Sequence, residues 1–253
     1  MNLQIIHKKF SKAASNYDKH ALIQKYFGDL LLEELRRDKV LAQNILDIGT
    51  GTGNLLRGLN SIYPLANIAG LDISWGMLLK ARERARRLLQ ADAAKLPFKD
   101  NSFNLVVSNF ALQWVVDLDN VFSEISRVFK KEGNFYFNIF GPQTLSELKV
   151  IFPQLDEHLK LSDLPILENL LRDAGFHDIK SQRLIEKRIY PSMIDIIKWL
   201  KNIGANYTGY IPVKNLGMRK VWQEAETNYR NHFGKDEGVS ATFEVFLIKA
   251  KRV

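Results

Sequence analysis

The sequence predicts an α/β chain built on a doubly wound, mostly parallel sheet, and three observations carry that expectation. Short apolar segments alternate with amphipathic ones in units of roughly 20–30 residues through the first half of the chain. A glycine-rich turn, Asp47-Ile-Gly49-Thr-Gly51-Thr-Gly53, follows the first of these apolar segments and opens a helix. The 253 residues, 46% of them hydrophobic and 25% charged, suffice for one large domain with its own core. The absence of cysteine excludes disulfides, thiolate metal centres and a cysteine nucleophile. No apolar run approaches the roughly 20 residues that span a bilayer, and the first residues lack a secretory apolar core, so a soluble, cytoplasmic protein is expected.

Taken in order, residues 10–37 read as helical, with Leu22, Ile23, Tyr26, Phe27, Leu30, Leu31 and Leu35 recurring at helical spacing. Asn44–Gly49 is a short apolar strand and Asn54–Leu59 opens a helix. Asn67–Ile73 is the second strand, Gly76–Leu89 the second helix, and a short third strand precedes Ala91. Pro97 and the Lys99-Asp-Asn-Ser run mark the approach to a fourth strand at Phe103–Asn109. An amphipathic helix over Asp119–Lys131 and a fifth strand over Asn134–Phe140 complete this half. Beyond Gly141-Pro142, helices are expected at Thr144–Leu159 and Leu164–Ala174, with Gly175 at a C-cap. A strand over Asp178–Tyr190, a helix over Pro191–Ile203, a further helix near Lys214–Phe233 and a last strand over Thr242–Lys249 follow. The resulting organisation is one domain. Residues 1–38 form an N-terminal helical cap, 40–140 the ligand-binding core, 141–190 and 239–253 complete the sheet, and 191–238 are an inserted lid.

The formal net charge is +8, which points to a polyanionic partner. Its location narrows this. Lys187–Lys235 holds nine basic residues against three acidic ones, and Lys80–Arg87 five against one. The second cluster reads as a solvated helix face. The first, interleaved with aromatics and glycines, suits an anion-facing surface as well as a solvated one.

Three acids around the glycine turn narrow the ligand. Asp72 ends the second strand, where a carboxylate accepts both hydroxyls of a ribose. Asp92 follows the third strand, where it accepts an exocyclic amine, and Asp47, ahead of the first glycine, meets a cationic amino group. A pyrophosphate at the helix N-terminus would be repelled by Asp47, which disfavours a dinucleotide. Each acid alone also suits a turn or a helix cap. Together they suit a ligand made of an amino acid, a ribose and an adenine.

The runs Asp47–Gly53, Gly70-Leu-Asp-Ile-Ser-Trp-Gly-Met77-Leu, Ala91-Asp-Ala-Ala-Lys-Leu-Pro-Phe98 and Phe103–Asn109 resemble the successive motifs of class I S-adenosylmethionine-dependent methyltransferases. The resemblance implies a Rossmann-like sheet of seven strands, the last antiparallel, with helices on both faces. It further implies S-adenosyl-L-methionine as cofactor, with Gly49, Gly51 and Gly53 near its methionine part, Asp72 and Ile73 on its ribose, and Met77 packed nearby. Asp92 and Ala93 would read the adenine, and Asn109 would lie under the methionyl group. The run Ser108-Asn-Phe-Ala-Leu-Gln-Trp114 replaces the Asn/Asp-Pro-Pro-Tyr sequence of amide and adenine N-methyltransferases, and no histidine falls on a motif, so an acceptor that needs no general base is expected.

Outside that core, Phe10–Asp18 with Ala21 and Gln24, Phe140–Leu148, Tyr190-Pro-Ser192, Leu200–Ala205 and Thr242-Phe-Glu-Val245 resemble the malonyl-acyl-carrier-protein O-methyltransferases of biotin biosynthesis. That resemblance implies methyl transfer to the free carboxylate of malonyl-phosphopantetheine on acyl carrier protein, or of malonyl-CoA, with neither nucleic acid nor membrane as partner. By it Tyr17 closes over the cofactor, Gln24 and Phe110 join its site, and Tyr17, Phe110 and Trp114 wall the space of methyl transfer. Lys198 and Lys201, at i and i+3 of one helix, are the expected holders of the malonyl carboxylate or of the acidic carrier. The methyltransferase-like assembly factors of respiratory complexes share the fold and the Tyr-Pro-Ser stretch; Leu200-Lys-Asn-Ile-Gly-Ala205 favours the biotin enzymes over them. A binding module without turnover and an RNA methyltransferase are further rivals, the latter supported by net charge alone.

Overall fold

A computed structural model describes residues 3–155, 161–205 and 219–252. Seven strands lie in the order β3-β2-β1-β4-β5-β8-β6, and the two-residue β7 (Gly234–Lys235) adds to β8. Strands β1 (Asn44–Ile48), β2 (Asn67–Asp72), β3 (Leu88–Gln90), β4 (Phe103–Asn109) and β5 (Phe129–Phe140) pair in parallel. The last strand, β8 (Gly238–Arg252), runs antiparallel to both its neighbours, β5 and β6 (Phe176–Tyr190). The order reverses between β1 and β4, so their C-terminal ends open a crevice where an α/β sheet takes its ligand.

Helices cover both faces. On one, α3 (Leu22–Arg37) and α4 (Asn54–Ile62) bury Leu31, Leu35, Leu55, Leu56 and Leu59 against β1 and β4. On the other, α6 (Leu118–Val128) and α8 (Leu164–Asp173) bury Val121, Phe122, Ile125, Leu167 and Leu171 against Phe135 and Phe137. Each buried set recurs at three- or four-residue spacing, the single apolar stripe by which a helix packs on a sheet. A third apolar cluster caps the sheet's end, where α7 (Ser146–Ile151), α9 (Met193–Asn202) and α10 (Arg219–Phe233) surround Phe110, Phe140 and Phe243. Among the described residues no helix is long and apolar enough to cross a membrane.

Several boundaries differ from the sequence expectation. The stretch read as helical over 10–37 falls in three helices: α1 (Leu3–Ala13), α2 (Tyr17–His20) and α3. The breaks let α2 lie across the glycine turn, where Asp18 accepts from Thr52 Oγ1 at 2.5 Å, Asn54 Nδ2 at 2.9 Å and Arg84 Nη2 at 2.8 Å. The helix read over 76–89 stops early, as α5 (Trp75–Ala81), because Leu88–Gln90 is taken up by pairing with β2. Strand β8 starts at Gly238 rather than Thr242, since its first residues pair with Tyr190 and Ile189 of β6. The ends of two expected helices, residues 156–159 and Lys214–Met218, lie outside the described residues, as does 206–218 of the expected lid.

Candidate active site

The glycine turn forms because three of its residues need left-handed backbone: Gly49 at φ +70°, Gly51 at +55° and Gly53 at +84°. They serve different ends. A Cβ on Gly49 would sit 2.0 Å from that of Ala111, whereas one on Gly51 would meet nothing within 4 Å and project into open space. Gly53 caps α4, and a Cβ there would meet Ala81 at 3.2 Å, so it faces packing rather than the crevice.

Three cavities share lining residues here, two of them lined by the turn itself, and Tyr17 walls all three. The first holds about 730 Å³ of empty space, its mouth included, and brings together Gly49, Gly51, Asp72, Ile73, Met77, Asp92 and Ala93. Asn109, Phe110 and Trp114 also line it, along with Ile6, Phe10 and Ala111. Asp72 is preset: Oδ1 accepts from Ser74 N at 2.7 Å and Oδ2 from Gly51 N at 2.8 Å. Burial pushes its carboxyl up, the two backbone N–H groups and His7 pull it down, and the balance is about 6. Asp92 accepts from Ala94 N at 2.9 Å, the turn geometry expected of it, and still faces the cavity.

The loop-side cavity is lined by Gln24, Asp47, Gly49, Gly51 and Asn109. Asp47 is 1% exposed; Oδ2 accepts from Thr50 Oγ1 at 2.7 Å and Oδ1 has no partner. Burial, opposed by the Thr50 bond and reinforced by the charge of Asp72, pushes its carboxyl up to about 7. Gln24, 7% exposed, likewise has an Oε1 without a partner. Asn109 is fixed by donating Nδ2 to Gln24 O at 2.9 Å and accepting from Asn138 Nδ2 at 3.0 Å.

The third cavity is aromatic. Phe10, Phe110, Trp114, Phe140, Trp199 and Phe243 line it, with Tyr17, Gln24, Gln113 and Thr144. Phe110 holds a left-handed φ of +53°, with its N–H bonded to Asn138 O at 3.0 Å, and stacks on Phe140 at 4.2 Å. Trp114 meets Phe10 edge-on at 5.3 Å. Burial first, then the charges of Asp72 and Asp18, push the Tyr17 phenol far above the ordinary range, so it stays protonated.

Lys198 and Lys201 are not part of this assembly. Both are exposed, Lys198 Nζ pairs with Asp195 at 2.9 Å, and neither lines any of the three cavities. The helix they share turns its other face inward, sending Trp199 and Leu200 to the aromatic cavity while Trp199 Nε1 donates to His20 O at 2.9 Å. Neither lysine therefore stands where these three cavities would seat an acceptor carboxylate. Sequence reasoning also passed over Asp18, Arg84, Ile6, Phe10 and Gln113. Phe10, Asp18 and Gln113 stood inside runs already singled out, but only the tertiary fold shows which side chains of a run turn inward. Arg84 is not a mere solvated cation, since it donates to Thr52 O at 2.9 Å and to Asp18.

The donor set fits S-adenosyl-L-methionine. An unpartnered carboxylate oxygen beside an unpartnered amide oxygen suits the ammonium of its amino acid, and a glycine whose missing Cβ leaves open space suits a close-lying chain. Two preset acids, Asp72 and Asp92, line one cavity and offer oriented carboxylates to ribose and adenine.

Residues 46–137 match the methyltransferase-domain family model. The chain is 34% identical to malonyl-acyl-carrier-protein O-methyltransferase from Methylovorus sp. (strain MP688), over 95% of this chain and 86% of that protein. It is 31% identical to the protein of the same name from Geobacter sulfurreducens, over 98% of both. Among solved structures, the YcgJ protein from Bacillus subtilis superposes with a TM-score of 0.63 at 18% identity, covering 88% of this chain and 98% of that one. A SAM-dependent methyltransferase from Thermotoga maritima gives 0.61 at 19%, covering 98% and 100%; at such identities these two speak for the fold alone. With the fold, the preset acids and the end-to-end similarity in hand, the chain belongs to the malonyl-acyl-carrier-protein O-methyltransferase family of S-adenosylmethionine-dependent enzymes.

Proposed function

We propose that this chain methylates the free carboxylate of a malonyl thioester carried by acyl carrier protein, giving the methyl ester that primes pimeloyl synthesis for biotin. The observation that carries this reading is the lining of the aromatic cavity. No Asp, Glu, His, Lys or Arg among the described residues lines it, and the one phenol there is held neutral. Such a wall cannot take a proton from an alcohol or amine, but a carboxylate arrives already ionised. S-adenosylmethionine supplies a methyl group on a sulfonium, so transfer to a carboxylate oxygen leaves a neutral ester and a neutral thioether with no proton to move.

The protein's part is then binding, alignment and exclusion of water. Asp47 and Gln24 offer unpartnered oxygens to the cofactor's ammonium; Asp72 and Asp92 present oriented carboxylates to ribose and adenine, with Ile73, Met77 and Ala93 packing alongside. Tyr17, shared by all three cavities, stands where cofactor and acceptor meet. The Phe110, Phe140, Trp114, Trp199 and Phe243 rings strip water from the incoming carboxylate. A bare anion in an apolar site is more reactive than a hydrated one, and held alignment supplies several kcal/mol more.

The insert 191–238 serves as a lid on the acceptor side, and its exposed basic residues, Lys198 and Lys201 among them, steer an acidic carrier rather than touch the malonyl group. The reaction belongs to the cytoplasm, and neither nucleic acid nor membrane has a part in it. Incubation with methyl-labelled S-adenosylmethionine and malonyl-carrier protein tests the proposal. A base-labile methyl ester on the carrier is expected; its absence, with cofactor and carrier both shown to bind, refutes it.

A further inference from the structure

Gln113 lies on the short 3₁₀ turn Leu112–Trp114 and lines the aromatic cavity but neither of the other two. Its amide is oriented by its own neighbourhood: Nε2 donates to Phe110 O at 2.8 Å, holding the residue whose backbone is left-handed. That bond uses one N–H of the amide and fixes its orientation, while Oε1 is buried with no hydrogen-bond partner. A buried carbonyl oxygen without a donor is uncommon and is costly unless a ligand supplies one.

Two other polar groups of this cavity are spoken for. Thr144 Oγ1 donates to Glu244 O at 2.9 Å and accepts from Glu244 N at 3.1 Å, and Trp199 Nε1 is bonded to His20 O. Gln24 Oε1 is also unpartnered, but Gln24 extends into the loop-side cavity beside Asp47, where a cationic donor accounts for it. Gln113 has no such recourse. An ionised malonyl group offers acceptors only, so it cannot satisfy this oxygen. The nearest donor on the acceptor is then the first amide N–H of the arm that carries it, two carbons beyond the thioester sulfur in any phosphopantetheine-type thioester.

Resting on the acceptor assigned above, we infer that Gln113 reads the acceptor's arm, its Oε1 accepting a hydrogen bond from that amide N–H. The residue then makes a phosphopantetheine-type thioester preferred over a malonyl group on any other carrier. Carrier protein and coenzyme A share the recognised amide.

The test changes one atom of the substrate. Malonyl-N-acetylcysteamine thioester is compared with its ketone analogue, in which a methylene replaces the N–H alone. For the wild-type enzyme kcat/KM is expected to favour the amide by about tenfold or more, although the analogue is the more hydrophobic of the two. In Gln113→Met, a size-conserving change, the ratio is expected to fall to near unity while affinity for S-adenosylhomocysteine, measured calorimetrically, is kept. The variant should also lose kcat/KM with malonyl-CoA and malonyl-carrier protein to a similar degree. No preference in the wild type, which needs no variant to fold, overturns the inference. A preference undiminished in Gln113→Met overturns it too, and a loss confined to the carrier protein would place Gln113 in the protein–protein contact instead. Failure of the wild type to methylate either thioester or malonyl-carrier protein overturns the acceptor reading itself, and the inference with it.

Discussion

Replacing Asp47 with asparagine separates what this carboxylate costs the fold from what it does for the ligand. The side chain is 1% exposed, and burial holds its carboxyl at about 7 against an ordinary 3.8. The folded, cofactor-free protein therefore keeps the proton up to near neutrality, whereas the unfolded chain releases it near pH 4. Stability attached to this group is full below pH 4 and is lost as pH rises through about 7. At ~1.4 kcal/mol for each pH unit of that gap, the cost above neutrality reaches ~4 kcal/mol. Asparagine keeps an oxygen for the Thr50 hydroxyl and carries no charge. At pH 8 the cofactor-free Asp47→Asn protein should be more stable than wild type by up to ~4 kcal/mol in urea unfolding, with the difference vanishing near pH 4. Its affinity for S-adenosylhomocysteine at pH 8 should fall by about 10–100-fold, the worth of a charged hydrogen bond to the ammonium. Wild-type affinity should itself begin to weaken near pH 7 as Asp47 takes up its proton; the variant's should hold until Asp72 is protonated near pH 6. A variant no more stable than wild type at pH 8 refutes the buried-charge argument. A variant that binds with full affinity refutes the ammonium assignment.

Asp72→Ala removes the acceptor for two backbone N–H groups as well as the proposed ribose contact, and should weaken cofactor binding more than about 100-fold by calorimetry; unchanged affinity removes the assignment. Asp18→Ala should release α2 from the glycine turn, destabilising by about 1 kcal/mol and raising KM for the cofactor. Burial alone would raise the Asp18 carboxyl, but bonds from Thr52, Arg84 and Asn54 hold it below the ordinary range. Its contribution is thus present above about pH 4 and lost as acid protonates it, a loss the variant should not show. Lys198→Glu with Lys201→Glu should slow turnover of malonyl-carrier protein several-fold at low salt and less at high salt, leaving the small malonyl-N-acetylcysteamine thioester unaffected. Equal loss with both acceptors would return the lysines to the site.

Legibility in the sequence followed the range of the physics involved. The glycine turn could be read because left-handed backbone and close approach demand glycine locally. The acids at the ends of β2 and β3 could be read because strand ends in a parallel sheet converge on one crevice. The helical character of 10–37 could be read from its periodicity, but its breaks could not, because those around Tyr17 go with contacts of Asp18 to Thr52, Asn54 and Arg84 more than 30 residues away. The choice between the two roles expected of Lys198 and Lys201 was not legible for a related reason: helical spacing places them on one face without saying which face turns inward.

By itself, then, the sequence determined the alternation of strands and helices, the cofactor's chemistry and the family, all written in short contiguous runs. The tertiary structure alone decided that Tyr17 joins three cavities, that one of them is aromatic and uncharged among the described residues, and that Gln113, which lines it, keeps a buried oxygen without a hydrogen-bond partner. Those properties belong to the packing of α1, α2, α9 and β8 around the end of β4. No local run encodes the meeting of segments more than 200 residues apart, because it is settled by which apolar faces bury together.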